Sequence, residues 1–395
     1  VQDLPGDRAT PERFPSAATR SVLLPVIASK FVTLLLIACA ALVYPAYFND
    51  ARYVAVYRGN HAQAPHERPS ADIVFRTWDA EHYLELAAHG YSRPGPQNAY
   101  YPLYPLLVRA CAPLFGGDLL ATAIVLSTLF GVLALLVIHD YCVRRGSVRM
   151  AHVAVALLCA QPSAFFSVLP YSESLFLLLL ALFFAALERE QLLFAAVLGA
   201  LLAMTRAIGV FCCAPLCVVL LRERRSLWRY SALLGPLAGW AAYFACVYWQ
   251  TGDPWLGFSV QKRFVTAPSI ARLFDPLGFA REFLQVQGLH TTKGSLLERL
   301  AFVGYVIGLW ALRPRARSRD ADWFALSAPF GLIPAISTQL MSFTRYLSVI
   351  FPWWCVVAEA LAPPARRFLL FAVLAAFVAA QLWLLFRHVT FHWAG

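Results

Sequence analysis

Charge is scarce in this 395-residue chain: Asp, Glu, Lys and Arg make up 14% of it, against roughly 25% in ordinary soluble domains. With 60% hydrophobic residues and a mean hydropathy of +0.61, that scarcity excludes a soluble globular protein. Flexible linkers, low-complexity tracts and internal repeats are missing too, so residues 1–395 read as one membrane domain with two long loops, 49–117 and 250–295. The nine cysteines lie in or beside apolar runs with no zinc-like pairing against histidine. That excludes a zinc module and a disulfide framework and leaves them as small buried hydrophobes.

What the chain has in quantity is apolar runs of about 18 residues or more, each long enough at 1.5 Å per residue to cross a hydrocarbon core. They fall near residues 21–47, 118–142, 150–168, 172–187, 191–205, 207–221, 228–249, 296–312, 322–340, 343–361 and 367–387, which predicts eleven spans in an all-α polytopic fold. The first run contains Lys30 and is too long, with the wrong flanks, for a cleaved signal peptide. The net charge of +11 has its commonest cause, in such a protein, in basic cytoplasmic loops, and no nucleic-acid partner is expected.

The stretch from Tyr100 to Gly117, YYPLYPLLVRACAPLFGG, is apolar in its middle but carries Pro102, Pro105, Arg109 and Pro113. If it lies in the interface, the arginines at 144, 145 and 149, at 222 to 229, at 313 to 319 and at 366 and 367 all fall on the side of the basic N-terminal segment. The positive-inside rule favours that arrangement. Every loop with chemically interesting residues then faces the other side: 49–117, PYSES at 170–174, the Thr205–Arg206 turn, 250–295 and SFTRY at 342–346. A composite site at the outer surface of a transmembrane scaffold follows.

The densest polar stretch is FRTWDAEHYLELAAHGY, Phe75 to Tyr91. Asp79 fits a helix N-cap, but on a helix it also shares a face with His82 and Tyr83 at i, i+3 and i+4, as at a sugar-hydroxyl site. Glu81 forms an Asp-x-Glu pair with Asp79 that suits either a divalent cation or a solvated face. Trp78, Tyr83, Tyr91, Tyr100, Tyr101 and Tyr104 read mostly as an aromatic belt at headgroup level. Ser172 or Ser174 suits the cap of the next span, with Glu173 in its positive first turn, although an ionisable group so near hydrocarbon also reads as facing a cavity. Arg206 suits the outer, negative end of its helix. Arg345 stands at a positive helix end and needs an anionic partner. With Lys262 and Arg263 these cations suggest a phosphate. One carboxylate serving as base and several cations on a departing phosphate fit transfer of a sugar from a lipid phosphate.

TWDAEHYLELAAHGY, YYPLYPLLVR, QPSAFFSVLPYSESLF, TRAIG, GDPWLGFSVQKRF and SFTRYLSVIFP occur in the order seen in the GPI mannosyltransferase II (PIG-V) family, which the chain resembles from about Trp78 to Pro352. The resemblance implies a GT-C membrane glycosyltransferase with interfacial helices in the first outer loop. It implies inverting transfer of mannose from a polyprenyl-phosphate carrier to an acceptor hydroxyl on the non-cytoplasmic face. Asp79 maps onto the family's catalytic acidic residue, and Tyr171, Glu173, Arg206 and Arg345 map onto substrate contacts. Trp78, Glu81, His82, Tyr83 and Tyr104 join Tyr171 and Glu173 as sugar or acceptor contacts, and Arg345, Arg206, Lys262 and Arg263 as holders of the phosphate.

QPSAFF and TRAIG depart from the eukaryotic pattern, where Asn-Pro-Ala and Arg-x-Asn-Gly are common. Thirty arginines against three lysines suggest a GC-rich bacterial gene, hence a multi-pass protein of the bacterial inner membrane with its site on the periplasmic or extracellular side. The acceptor is then a glycolipid, a cell-surface glycan or a protein. No cofactor is predicted, and a divalent cation stays open on the Asp79–Glu81 spacing alone. The rival is a lipid-linked-sugar flippase or secondary transporter, which would place ionisable groups and broken helices at mid-membrane in two related halves.

Overall fold

The computed structural model describes residues 16–47, 51–55, 70–92, 95–222, 226–262, 264, 268–313 and 321–395. Among these residues there is no β-strand; an isolated bridge joins Gly288 to Ser295. In chain order the helices that carry the argument are α1 (Ala17–Tyr47), α2 (Asp79–His89), α3 (Leu103–Cys111), α4 (Leu119–Arg145), α5 (Val148–Ala160), α6 (Glu173–Glu188), α7 (Leu192–Thr205), α8 (Cys213–Arg222) and α9 (Leu234–Thr251). They are followed by α10 (Leu256–Gln261), α11 (Pro276–Leu284), α12 (Leu296–Ala311), α13 (Ala321–Ser337), α14 (Phe343–Ser348), α15 (Phe351–Leu361) and α16 (Arg367–Val389).

Each of the eleven predicted apolar runs contains a helix, but among the described residues four helical segments are by length and composition able to cross a membrane unaided: Ala17–Tyr44, Leu119–Arg145, Leu227–Thr251 and Pro364–Val389. The rest are shorter because the sequence interrupts them. Pro329 and Pro334 sit inside α13, and the Val349–Ile350 step divides α14 from α15. Broken backbone of this kind is tolerated beside hydrocarbon only where protein covers it, and α14 is accordingly buried at five of its six residues. α1 and α16 instead expose Leu24, Leu42, Phe371 and Phe386, the apolar girdle expected against lipid.

Local chemistry sets several boundaries. Asp118 accepts from the Ala121 amide at 3.0 Å to start α4, and Ser147 accepts from Met150 at 3.1 Å to start α5, each worth about 1 kcal/mol. α4 ends in Arg144 and Arg145, at the negative end of its dipole. Both arginines tie into a network there: Arg144 Nε lies 3.0 Å from Glu188 at the end of α6, and Arg145 Nη2 lies 2.9 Å from Asp322 in α13. Glu173 and Glu188 are the two ends of α6, so this arginine network and the Glu173 cluster lie at opposite ends of the bundle.

The segment from Tyr100 to Gly117 folds as the short apolar helix Leu103–Phe115, well below the length of a full crossing, and turns at Gly116 and Gly117, both at positive φ. The tyrosines expected as a headgroup belt are instead largely internal. Tyr83, Tyr91, Tyr101 and Tyr104 are all buried, with Tyr101 stacked on Tyr243 at 4.2 Å. Their hydroxyls find protein partners, which removes the reason to sit at the lipid–water boundary.

Candidate active site

α2 begins on a strained residue. Trp78 has φ 60° and ψ −133°, a region that costs a tryptophan about 1–3 kcal/mol, and it offers no side-chain cap to the helix. Asp79 is therefore the first helical residue and not the cap, and its carboxylate turns inward. Oδ1 accepts from the Tyr100 hydroxyl at 2.8 Å, and Oδ2 accepts from Arg345 Nη1 at 2.7 Å. Some 22% of the Asp79 side chain stays exposed, enough for a substrate to reach it.

Arg345 comes from α14, and its anionic partners are two. While Nη1 donates to Asp79, Nε and Nη2 both donate to Glu173 Oε1, at 2.9 and 2.6 Å. The rings of Phe166 and Tyr171 lie 4.7 and 4.9 Å from the guanidinium carbon, and the Tyr171 hydroxyl donates to the Thr77 carbonyl at 3.3 Å. Glu173 Oε1 also lies 3.0 Å from Arg206 Nη1, whose guanidinium rests over Tyr346 at 5.6 Å. Charges thus alternate along Asp79, Arg345, Glu173 and Arg206, from four separate elements of the chain.

The electrostatics at Asp79 are a contest. Burial works to raise its pKa, and the Arg345 guanidinium, helped by His82 and the Tyr100 hydrogen bond, wins and holds it below its ordinary value. Burial lowers His82 to about 4 despite the Asp79 charge, so its imidazole is neutral at pH 7. The ring stacks on Tyr100 at 4.9 Å. Burial and the neighbouring carboxylate push Tyr100 up, which keeps its phenol protonated as the donor to Asp79.

The other sequence candidates scatter. Glu81 is gripped by Arg76 through Nε at 2.9 Å and Nη2 at 3.1 Å, so the two carboxylates of the Asp-x-Glu pair face different arginines and form no shared oxygen pocket. Among the described residues no group of three His, Cys, Asp or Glu side chains converges as metal ligands would. The Tyr83 hydroxyl pairs with Ser172 Oγ at 2.7 Å, while Ser174 donates to the Ser167 carbonyl, so neither serine caps α6. Tyr104 is wholly buried, its hydroxyl 2.7 Å from Ser127 Oγ, which places it in the core beneath the site. Lys262 is exposed just after α10 and makes no hydrogen bond or ion pair with the charge row among the described residues, although the Phe264 ring beyond it lies 6.3 Å from His82 and 6.5 Å from Tyr100; Arg263 lies outside the described residues.

Sequence reasoning missed Tyr100 as a partner of Asp79, because its distance of 21 residues obeys no helical or strand period. It also missed the segment after α16. Trp393 meets Trp78 edge to face at 5.2 Å, and Arg387 Nε donates to the Trp393 carbonyl at 2.9 Å. Gly395 packs so tightly that a methyl group on it would stand 2.5 Å from Arg345 Cδ and 2.7 Å from the Phe166 ring.

The family described as "Mannosyltransferase (PIG-V)" matches residues 24–229, a little over half of the chain and inclusive of Asp79, Glu173 and Arg206. GPI alpha-1,6-mannosyltransferase 2 of Cricetulus griseus and that of Rattus norvegicus are each 35% identical over 143 residues, which cover 34% of this chain and 29% of theirs. The match therefore spans under a third of the length of these relatives. In three dimensions the chain is similar to ArnT from Cupriavidus metallidurans bound to undecaprenyl phosphate, with a TM-score of 0.52 and 16% identity over 89% of this chain and 64% of that one. That likeness shows the GT-C fold. On the sequence match, the chain belongs to the PIG-V mannosyltransferase family.

Proposed function

We propose that the protein is an inverting mannosyltransferase that moves mannose from a polyprenyl-phosphate carrier to an acceptor hydroxyl on the non-cytoplasmic face of the membrane. The observation that carries this reading is the partly exposed Asp79 carboxylate, kept ionised and oriented by Arg345 and Tyr100 at the end of the bundle away from the arginine network. The positive-inside rule puts that network in the cytoplasm and the site opposite. The undecaprenyl phosphate bound to ArnT supports a lipid-phosphate donor.

The acceptor oxygen attacks the anomeric carbon from the side opposite the phosphate, the bond to the phosphate oxygen breaks, and the hydroxyl proton passes to Asp79. A carboxylate below its ordinary pKa is a weak base toward a resting hydroxyl. It becomes adequate as the new C–O bond forms and that hydroxyl turns acidic. Negative charge meanwhile grows on the lipid phosphate. Arg345 already donates to two carboxylates, so its role here is to orient the base, and Arg206, with a single carboxylate partner, is the better placed cation for the phosphate. The expectation from sequence had Arg345 hold the phosphate together with Arg206 or with Lys262 and Arg263; in this reading Arg206 keeps that role and Arg345 orients the base.

The test is transfer of radiolabelled mannose from polyprenyl-phosphate mannose into extractable products by purified protein in liposomes with host membrane extract. Wild type should transfer and Asp79→Asn should fall by at least about a thousandfold while still folding and binding the donor. Substantial turnover by Asp79→Asn would sink the assignment of the base, and label crossing the bilayer without transfer would point to a flippase.

A further inference from the structure

Lys30 is a buried charged residue that the site just described leaves unused. It lies in the middle of α1, inside a stretch long and apolar enough to span a membrane, yet it is turned away from lipid and 5% exposed. An ammonium group at such a depth is costly unless it faces a polar partner or a wet cavity. Its Nζ donates to Ser167 Oγ, which in turn donates to the Ala164 carbonyl at 2.5 Å. A neutral hydroxyl is slight compensation for a full charge.

Beside it is a cavity of about 30 Å³ lined by Lys30, Gln161, Ser163, Ser167, Glu173 and Ser348, among others. Two buried polar atoms of that lining have no hydrogen-bond partner among the described residues: Ser163 Oγ and Glu173 Oε2. Glu173 thus presents one oxygen to Arg345 and Arg206, and its residue also lines a chamber shared with the Lys30 ammonium. The space exceeds that of a single water probe, and the walls offer the two to four polar contacts that hold a buried water. The charge count points the same way. Asp79 and Glu173 balance Arg345 and Arg206, leaving nothing over for a phosphate; a third cation behind Glu173 restores a surplus of one positive charge.

We propose that Lys30 is a positioning residue of the transfer site: ordered water in this chamber links its ammonium to the second oxygen of Glu173, fixing the carboxylate that orients Arg345 and leaving Arg206 for the donor phosphate. The inference rests on the glycosyl-transfer reading for its kinetics and on the cavity alone for its structure.

Lys30→Met keeps an unbranched side chain one atom shorter and removes the charge. It should lower kcat/KM for the lipid donor by about 10–100-fold while leaving the acceptor KM within about threefold, and Lys30→Arg should recover most of the loss. In a Glu173→Gln background the same Lys30→Met change should cost less than about threefold. Full activity of Lys30→Met, or an equal loss in both backgrounds, overturns the proposal. Should Lys30→Met fail to fold, Ser163→Val crowds the chamber at another lining residue, one that takes no part in the Lys30–Ser167 hydrogen bond. It should show the same loss in kcat/KM, and wild-type kinetics from it would count against the chamber. An experimental density map of the wild type separates this inference from the assigned reaction. Water density bridging Lys30 Nζ and Glu173 Oε2 supports the link even if polyprenyl-phosphate mannose proves to be the wrong donor, and a dry chamber overturns the link even if that donor is right.

Discussion

A carboxylate has to be ionised to take a proton, and Asp79 is held in that state over most of the accessible pH range. Its pKa lies below the ordinary value, and the nearest imidazole, His82, has already lost its proton above about 4. Lowering the pH from 7 to 5 should therefore leave the transfer rate flat, with no inflection near 6.5, and His82→Asn should keep the same profile at a reduced rate. A rate profile on the purified enzyme checks both, and an inflection near 6.5 that vanishes in His82→Asn would restore the imidazole to the proton path. Stability follows the same sign. Both folded pKa values are depressed, so their contributions are complete above pH 6.5 and are lost as the pH falls, through about 4 for His82. These residues were legible in part. Glu173, Arg206 and Arg345 stood out as charges at the ends of apolar runs and Asp79 as part of the densest polar stretch, whereas Tyr100 read as one more belt aromatic and Trp393 carried no local signal, because the contacts that single them out join distant parts of the chain.

At the scale of elements, α7 and α9 show how the bundle closes where hydrophobicity alone gives no specificity. Gly235 and Gly239 lie one turn apart on α9 and meet α7 backbone to backbone: a methyl group on Gly239 would stand 2.0 Å from the Ala200 carbonyl oxygen, and one on Gly235 would stand 2.2 Å from that of Ala196. Close approach through small residues is the usual device for packing helices in lipid. Gly239→Leu should push the pair apart and cost about 3 kcal/mol or more, read as a lowered melting temperature of the detergent-solubilised protein. The apolar runs made every one of these helices visible in the sequence. Their lengths were not, because proline positions and covered breaks such as Val349–Ile350 depend on which neighbours bury the loosened backbone. Nor was the backbone of Trp78, since nothing in its local sequence requires a positive φ.

For the whole molecule the testable quantity is sidedness. Ser92, just beyond α2, and Arg189, just beyond α6 at the opposite end of the bundle, are both exposed. In a variant freed of the nine native cysteines, Ser92→Cys should react with a membrane-impermeant thiol reagent applied to intact spheroplasts. Arg189→Cys should react only after the membrane is opened, and the reverse pattern would turn the proposed topology over. The packing of Gly395 bears on how such experiments are built. With no room for a side chain between Arg345 and Phe166, whatever follows Gly395 must leave from within reach of the charge row that orients Asp79. An affinity tag or reporter joined directly at that point begins its path inside the working part of the enzyme, so a weak or silent preparation carrying one says more about the attachment than about the protein.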